Sequence, residues 1–247
     1  MSEILILSLI AIFLGALVRT YFGFGEALIS MPLLAIIGLD IHTSISVIGL
    51  AGLSVALMNI LSDFKGIHYK VLLVMLIGSL FGIPISIVVL HRFDTGMIQN
   101  CLAVFLILYG LYALSKATWL SHLQQLQLKH PIFSGVSGFL SGVLGSIYNS
   151  HGVPIVIYAT LSPYRIKEFK PTIQAHFLIT AVFVIIGQVS GGIWTAQTLP
   201  LFFMSLPLLL LAVLLGKYIS KRTPHDRFEH WIYIFIILLG IIMLFAK

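Results

Sequence analysis

Long apolar runs fill most of this 247-residue chain, and their length is the feature that most restricts its fold. A helix that crosses the hydrocarbon core of a bilayer needs about 20 mostly apolar residues. Only 9% of the residues are charged, against about 25% in a typical soluble domain. The chain is therefore predicted to be an all-α, polytopic membrane protein with no room for a soluble domain. The runs that read as spanning helices are 47–61, 71–90, 98–114, 174–187, 199–216 and 231–245.

Two other apolar regions, 4–37 and 132–161, are each too long for a single crossing. Both are interrupted by a short stretch rich in glycine and polar residues, YFGFG at 21–25 and YNSHG at 148–152. Non-helical backbone at membrane depth must be buried in protein or line a water-filled cavity, because lipid cannot hydrogen-bond to it. The two breaks are therefore predicted to be sheltered inside the protein.

The second broken region is a weak but ordered repeat of the first at a shift of 127 positions. The chain is thus read as two transmembrane repeats, 1–127 and 128–247, which together form one membrane domain. The residues that coincide at this shift are Gly15 with Gly142, Leu17 with Leu144, Tyr21 with Tyr148, Gly25 with Gly152, and Leu34 with Leu161.

Positive charge in the loops indicates how the segments are oriented, since cytoplasmic loops carry an excess of Lys and Arg. Eleven of the fourteen Lys and Arg residues fall in four loops, which are predicted to face the cytoplasm. The loops around Asp40 and Asp94 and the connection 188–198 are poor in positive charge and are predicted to lie outside. The eleven residues are Lys65, Lys70, Lys116, Lys129, Arg165, Lys167, Lys170, Lys217, Lys221, Arg222 and Arg227.

This assignment works only if each broken region enters and leaves the membrane on the same side. Each half then has about five segments, and an odd number makes the second half an inverted copy of the first. The prediction is two inverted repeats with broken-helix hairpins that meet near the bilayer midplane. An alternative treats each broken region as one long crossing, which gives eight spans and parallel repeats.

The tips of the two hairpins are the predicted binding site. Each tip precedes a short helix, at 26–37 and 153–161, whose free N–H groups and positive dipole end favour an anion. Arg19 is the only Lys or Arg inside an apolar segment, where a charge is costly, so it is predicted either to contact the ligand or else to snorkel or pair with Glu26. Glu26 is predicted either to take up a coupling proton or to cap the short helix.

On the second tip, Asn149, Ser150 and His151 are predicted to donate hydrogen bonds to an oxyanion. Gln174 and His176 are placed at the start of the next helix, where only one of them can easily face the tips. The complete set of candidate substrate-binding residues is Arg19, Tyr21, Gly23, Gly25, Glu26, Tyr148, Asn149, Ser150, His151, Gly152, Gln174 and His176.

The two tips also carry a family pattern. The stretch GFGEAL at 23–28, followed by PLL at 32–34, and the stretch HGVPIVIY at 151–158 resemble the paired motifs of the sulfite exporter TauE/SafE family. The resemblance spans essentially the whole chain. It implies transport of small sulfur-containing anions, such as sulfite or organosulfonates, across the cytoplasmic membrane of a prokaryote.

The sequence as a whole predicts a secondary transporter, a permease or exporter, that moves a small anion such as sulfite or sulfoacetate by alternating access. An anion channel and a permease for a small carboxylate are the alternatives. No nucleophile elbow, metal-binding pattern or P-loop is present, so no enzyme activity, metal or cofactor is predicted. The expected partners are the substrate and the bilayer, without nucleic acid. Proton or sodium coupling and homodimer formation are left open. The predicted location is the cell inner (cytoplasmic) membrane, as a multi-pass protein.

Overall fold

A computed structural model describes residues 2–59, 66–115, 128–164, 166–222 and 225–245. Over these ranges the chain forms ten α-helices and no strand, which confirms the all-α prediction. The helices are α1 (Ser2–Phe22), α2 (Glu26–Ile37), α3 (Ile41–Asn59), α4 (Tyr69–Arg92), α5 (Thr95–Ser115), α6 (Pro131–Tyr148), α7 (Gly152–Leu161), α8 (Ile166–Ser190), α9 (Thr198–Arg222) and α10 (His225–Phe245).

Seven of the helices in the described residues are long and apolar enough to cross a membrane: α1, α3, α4, α5, α6, α8 and α9. Large apolar side chains point outward along them, among them Phe81, Leu108, Phe203 and Leu214, each at least 59% exposed. A soluble protein rarely exposes so much contiguous apolar surface. The chain is a polytopic helical membrane protein, as predicted.

Two helices begin several residues before the apolar runs from which they were predicted. α3 begins at Ile41 rather than 47, because the Asp40 carboxylate accepts a hydrogen bond from the Thr43 N–H at 2.8 Å and caps the helix. α8 begins at Ile166 rather than 174 and includes polar first turns. The placement of Gln174 and His176 at a helix start was therefore wrong, since both lie inside α8.

Each broken region folds back on itself as a helical hairpin. In the first, the Ser30 hydroxyl on α2 donates to the Ala11 carbonyl on α1 at 2.9 Å. In the second, the Ser137 hydroxyl on α6 donates to the Pro154 carbonyl on α7 at 2.7 Å, and Ser141 donates to the His151 carbonyl at 2.6 Å. The short helix therefore runs antiparallel to its partner in both hairpins.

Small residues allow α4 and α6 to pack with their backbones in close contact. A Cβ added to Gly138 would overlap the Met75 backbone, and one added to Gly142 would overlap the Ser79 backbone. The Ser79 hydroxyl also donates to the Gly138 carbonyl at 2.8 Å. This close approach through glycine and serine is typical of helix pairs inside membranes. It anchors the second hairpin against the first half of the chain.

The α5 and α10 helices, which the repeat makes equivalent, run antiparallel to each other. A Cβ added to Gly110 would lie 3.1 Å from the Tyr233 carbonyl, and one added to Gly240 would lie 2.8 Å from the Ala103 carbonyl. Each helix thus presents its glycine to the backbone of the other.

Contacts between residues near the ends of the helices show which helix ends lie together. They form two groups, one at each end of the helix bundle. At one end the hydroxyls of Thr43 and Thr195 lie 2.8 Å apart. At the other end the His68 N–H donates to the Thr172 hydroxyl at 2.9 Å. At that same end Lys217 donates to the Met58 carbonyl at 3.0 Å. The end of α3, His68 and the start of α8 are thus opposite to the loop between α8 and α9.

Most of the loop cations gather at the second of these ends. Lys65, Lys116 and Arg165 lie outside the described residues, as do the side chains of Lys167 and Arg227. The remaining ones are exposed: Lys70, Lys129, Lys170, Lys217, Lys221 and Arg222.

Candidate substrate-binding site

The tips of the two hairpins lie side by side within the bundle. A Cβ added to Gly152 would be 3.3 Å from the Cβ of Phe24, although the two residues belong to different halves of the chain. A cavity of about 290 Å³, including its opening, lies between the tips. It is lined by Arg19, Phe24, Gly25, Glu26, Ala27, Leu28, Asn149, Ser150, His151, Gly152, Val153 and Phe177.

The breaks arise from backbone conformations that end a helix abruptly. In the first tip, Gly23 and Gly25 have φ values of 87° and 95°, which glycine adopts without steric cost. In the second tip, Asn149 takes the left-handed conformation at φ 53°. Its N–H donates to the Gly145 carbonyl at 2.9 Å, as is typical of a helix C-terminal cap.

An ion pair spans the break in the first hairpin. Arg19, in the last turn of α1, donates from Nη1 to Oε2 of Glu26, the first residue of α2, at 3.2 Å. Both are buried, at 6% and 3% exposure. Of the predicted alternatives for Arg19, the structure shows the pairing with Glu26, and Arg19 also lines the cavity, where a ligand contact remains a prediction.

Two glycines of α3 leave space for the polar groups of the tips. A Cβ on Gly52 would lie 3.0 Å from both Arg19 Nη1 and Glu26 Oε2. A Cβ on Gly49 would lie 3.1 Å from the Asn149 Oδ1. Because these glycines fall near the middle of α3 (Ile41–Asn59), the tips lie deep in the bundle.

The polar side chains of the second tip are buried as well. The Asn149 Nδ2 donates to the Ile45 carbonyl at 2.6 Å, which ties the tip to α3. The Ser150 hydroxyl makes only a long bond of 3.4 Å to the Tyr148 carbonyl. His151 packs edge-on against the Phe177 ring with centroids 5.4 Å apart, and no described residue forms a hydrogen bond with its Nδ1.

The remaining predicted residues, Tyr21, Gly23, Tyr148, Gln174 and His176, do not line the cavity. Tyr21 is buried and packs against the Phe22 ring, and the Tyr148 hydroxyl donates to the Ile98 carbonyl at 2.8 Å. Gln174 faces the first tip, with its Nε2 3.5 Å from a Cβ added to Gly23.

His176 faces the other way, towards α4. Its Nε2 lies 3.1 Å from the Ser79 hydroxyl and 3.2 Å from the Thr180 hydroxyl. The two-residue spacing thus divides Gln174 and His176 between the tips and the helix packing.

Gln188 is a buried polar residue that the sequence analysis assigned to an outer connection. It lies instead inside α8, completely buried, where its Nε2 donates to the Ser146 carbonyl at 3.3 Å. Its Oε1 lies 3.2 Å from a Cβ added to Gly49. The sequence signal for this position is its spacing of four residues from the apolar Val184. Residues four apart lie on one face of a helix, and Val184 is also buried. Phe24, Phe177 and the α3 glycines were not predicted to belong to the site.

The site contains the Arg19–Glu26 ion pair, whose charges cancel. Around the pair lie buried polar atoms that do not make all the hydrogen bonds they could. Glu26 Oε1, His151 Nδ1 and Gln188 Oε1 are buried and have no hydrogen-bond partner in the part of the chain that the structure describes. Buried polar atoms are nearly always hydrogen-bonded, so such a group points to a polar ligand or to water. Within the described ranges, no three His, Cys, Asp or Glu side chains are grouped in a way that could hold a metal ion.

Comparison with protein families gives one match. The family model described as "Sulfite exporter TauE/SafE" matches residues 7–243, which is nearly the entire chain. Neither the curated proteins nor the solved structures contain a match to this chain.

Proposed function

This chain belongs to the sulfite exporter TauE/SafE family of membrane transporters, and we propose that it is a secondary transporter for a small anion. The substrate class is a sulfur oxyanion or organosulfonate, such as sulfite or sulfoacetate, which is moved by alternating access. The observation that carries this proposal is the position of Arg19, a buried cation beside the cavity between the two hairpin tips.

The electrostatics of the cavity favour a negative ligand. The first residues of α2 and α7 both line it, and helix N-termini attract anions through their free N–H groups and dipole. Arg19 adds a full positive charge that costs at least about 2.5 kcal/mol at membrane depth. The balancing charge on Glu26 makes the empty site neutral, so an arriving anion must displace or rearrange that pair.

We assign the substrate contacts to the residues around the tips. Arg19 and the N–H groups near Gly25 and Gly152 bind the anionic group, while Asn149 and His151 supply further hydrogen-bonding groups. The rest of the proposed set holds these groups in place: Tyr21, Gly23, Glu26, Tyr148, Ser150, Gln174 and His176.

We propose that the two repeats, 1–127 and 128–247, are inverted copies of each other. An inverted arrangement brings both tips to one cavity from opposite ends of the bundle. The antiparallel packing of α5 against its equivalent α10 supports this proposal, since parallel repeats would leave equivalent helices pointing the same way. So does the arrangement of the hairpins, since α1 and α6 begin at opposite ends of the bundle. This is the usual architecture for alternating access around a central site.

We propose that the cation-rich end faces the cytoplasm, with the protein in the inner (cytoplasmic) membrane. The exposed Lys70, Lys129, Lys170 and Lys217 support this orientation through the positive-inside rule.

Flux through the purified protein in proteoliposomes tests the function. Uptake of labelled sulfite, sulfoacetate and taurine is expected to saturate with concentration and to be slow, and Arg19→Ala is expected to abolish it. Arg92→Ala, which removes an exposed cation at the end of α4, is the matched control and is expected to transport normally. Transport of small carboxylates but no sulfur anion would contradict the substrate class, and single-channel currents would contradict a carrier.

A further inference from the structure

We propose that Glu26 is a built-in counter-ion that competes with the transported anion for Arg19, and that it takes up one proton for each anion bound. This inference rests on the proposed function and extends it to the coupling ion. The coupling residue and the substrate-binding residue are the two partners of one salt bridge.

The geometry of the Arg19–Glu26 pair suits a salt bridge in which Arg19 can exchange Glu26 for another anionic partner. Arg19 and Glu26 are joined by a single Nη1–Oε2 contact at 3.2 Å, and the second carboxylate oxygen, Oε1, is buried without a hydrogen-bond partner among the described residues. A guanidinium and a carboxylate can form two parallel hydrogen bonds when the pair is optimised. Because only one of the two Glu26 carboxylate oxygens contacts Arg19, the pair is held together mainly by charge.

The space around the pair is continuous with the site. Arg19, Glu26, Asn149 and His151 line both the cavity between the tips and a second, smaller cavity of about 240 Å³, including its opening, against α3 and α8. An anionic group placed between the tips therefore lies next to both Arg19 and Glu26.

Among the described residues that line the two cavities, Arg19 is the only Lys or Arg that can stabilise an ionised Glu26. Arg19 comes from α1 and His151 from the second tip, while α3 contributes only the uncharged Ile48, Gly49 and Gly52 to the smaller cavity. The α8 residue that lines this cavity is Ala181. The α5 and α10 helices pack against the rest of α2, but their Tyr109 and Tyr233 line neither cavity.

Charge balance then dictates the step. In the empty site Arg19 pairs with ionised Glu26. When the sulfonate or sulfite group binds Arg19, the Glu26 carboxylate loses its counter-charge and binds a proton from water, because a buried charge without a partner is far costlier than a neutral group. Release of the anion reverses both events, so one proton accompanies each anion across the membrane.

Proton uptake on binding is the direct test. Sulfoacetate is titrated calorimetrically into the full-length detergent-purified protein at about pH 8, where its own carboxyl group stays ionised. The titration is repeated in two buffers with different heats of ionisation. We expect uptake of about one proton per anion for the native chain and almost none for Glu26→Gln. Glu3→Gln, at the exposed start of α1, is the matched control and should behave like the native chain.

A second measurement needs no variant and therefore does not depend on how Glu26→Gln folds. The dissociation constant of sulfoacetate for the native chain should weaken by about tenfold per pH unit above neutrality, as linkage to a single proton requires. Binding with no proton uptake and no pH dependence would overturn the inference and leave the anion transporter intact. Uptake that persists unchanged in Glu26→Gln would overturn it as well. Absence of any sulfoacetate binding would remove the proposed substrate class and this inference with it.

Discussion

Gly152 of the second hairpin lies against Phe24 of the first, so closely that a Cβ on the glycine would be 3.3 Å from the phenylalanine Cβ and 3.2 Å from Phe177 Cζ. This contact joins the two breaks and forms one wall of the cavity. The spacing between the tips is thus set by the absence of a side chain at one position.

A larger residue at Gly152 is expected to separate the tips. Gly152→Leu should abolish anion transport and lower the free energy of unfolding by about 1–3 kcal/mol, as overpacking of a filled interior does. Proteoliposome uptake and thermal unfolding in detergent measure the two effects. Normal uptake by Gly152→Leu would show that the tip contact is not required for transport.

The conformation of Asn149 can be separated from its side-chain hydrogen bond. Asn149→Gly keeps the left-handed backbone and loses the bond to the Ile45 carbonyl, whereas Asn149→Ala loses both. We expect the alanine variant to be less stable than the glycine variant by about 1–2 kcal/mol, the cost of the left-handed conformation for a residue with a Cβ. Thermal unfolding of the two proteins measures the difference.

Both variants are expected to lose anion transport, because each removes the amide group beside the cavity. If Asn149→Gly transports at the native rate, the side chain serves only to connect the tip to α3. Equal stability of the two variants would contradict the backbone argument.

The fold class and the breaks followed from the sequence because bilayer thickness and backbone hydrogen bonding leave few alternatives. Arg19 and Glu26 were found for the same reason, since a charge inside an apolar run is conspicuous. Gln188 was missed because the hydropathy of α8 falls off before the helix ends, although the side chain is completely buried. Gly49 and Gly52 were missed because nothing in a single sequence distinguishes a glycine beside a site from one that only packs. Long-range packing alone makes that distinction.

Glycines in α6 differ in how closely they approach α4, and this difference gives a matched pair of variants. A Cβ at Gly138 would overlap the Met75 backbone, while one at Gly135 would lie 3.5 Å from Val74 Cγ1, an ordinary contact. Gly138→Ala is expected to lower the free energy of unfolding by about 1–3 kcal/mol. Gly135→Ala should be neutral or slightly stabilising, because alanine favours a helix by up to about 1 kcal/mol over glycine.

Thermal unfolding of the two purified variants makes the comparison. Equal melting temperatures would show that the helices can separate without cost, contrary to the close backbone packing described here.

The opposed orientation of the two halves predicts where introduced cysteines react. Ala196 is exposed between α8 and α9, and Lys129 is exposed just before α6. In a Cys101→Ser background, we expect a membrane-impermeant maleimide added to intact cells to label Ala196→Cys. Lys129→Cys should be labelled only after the membrane is permeabilised, because its loop carries the positive charge that is retained in the cytoplasm. The Cys101→Ser parent should remain unlabelled under both conditions. Labelling of both cysteines from the same side would be incompatible with hairpins that enter from opposite faces, and the shared anion site between their tips could not form.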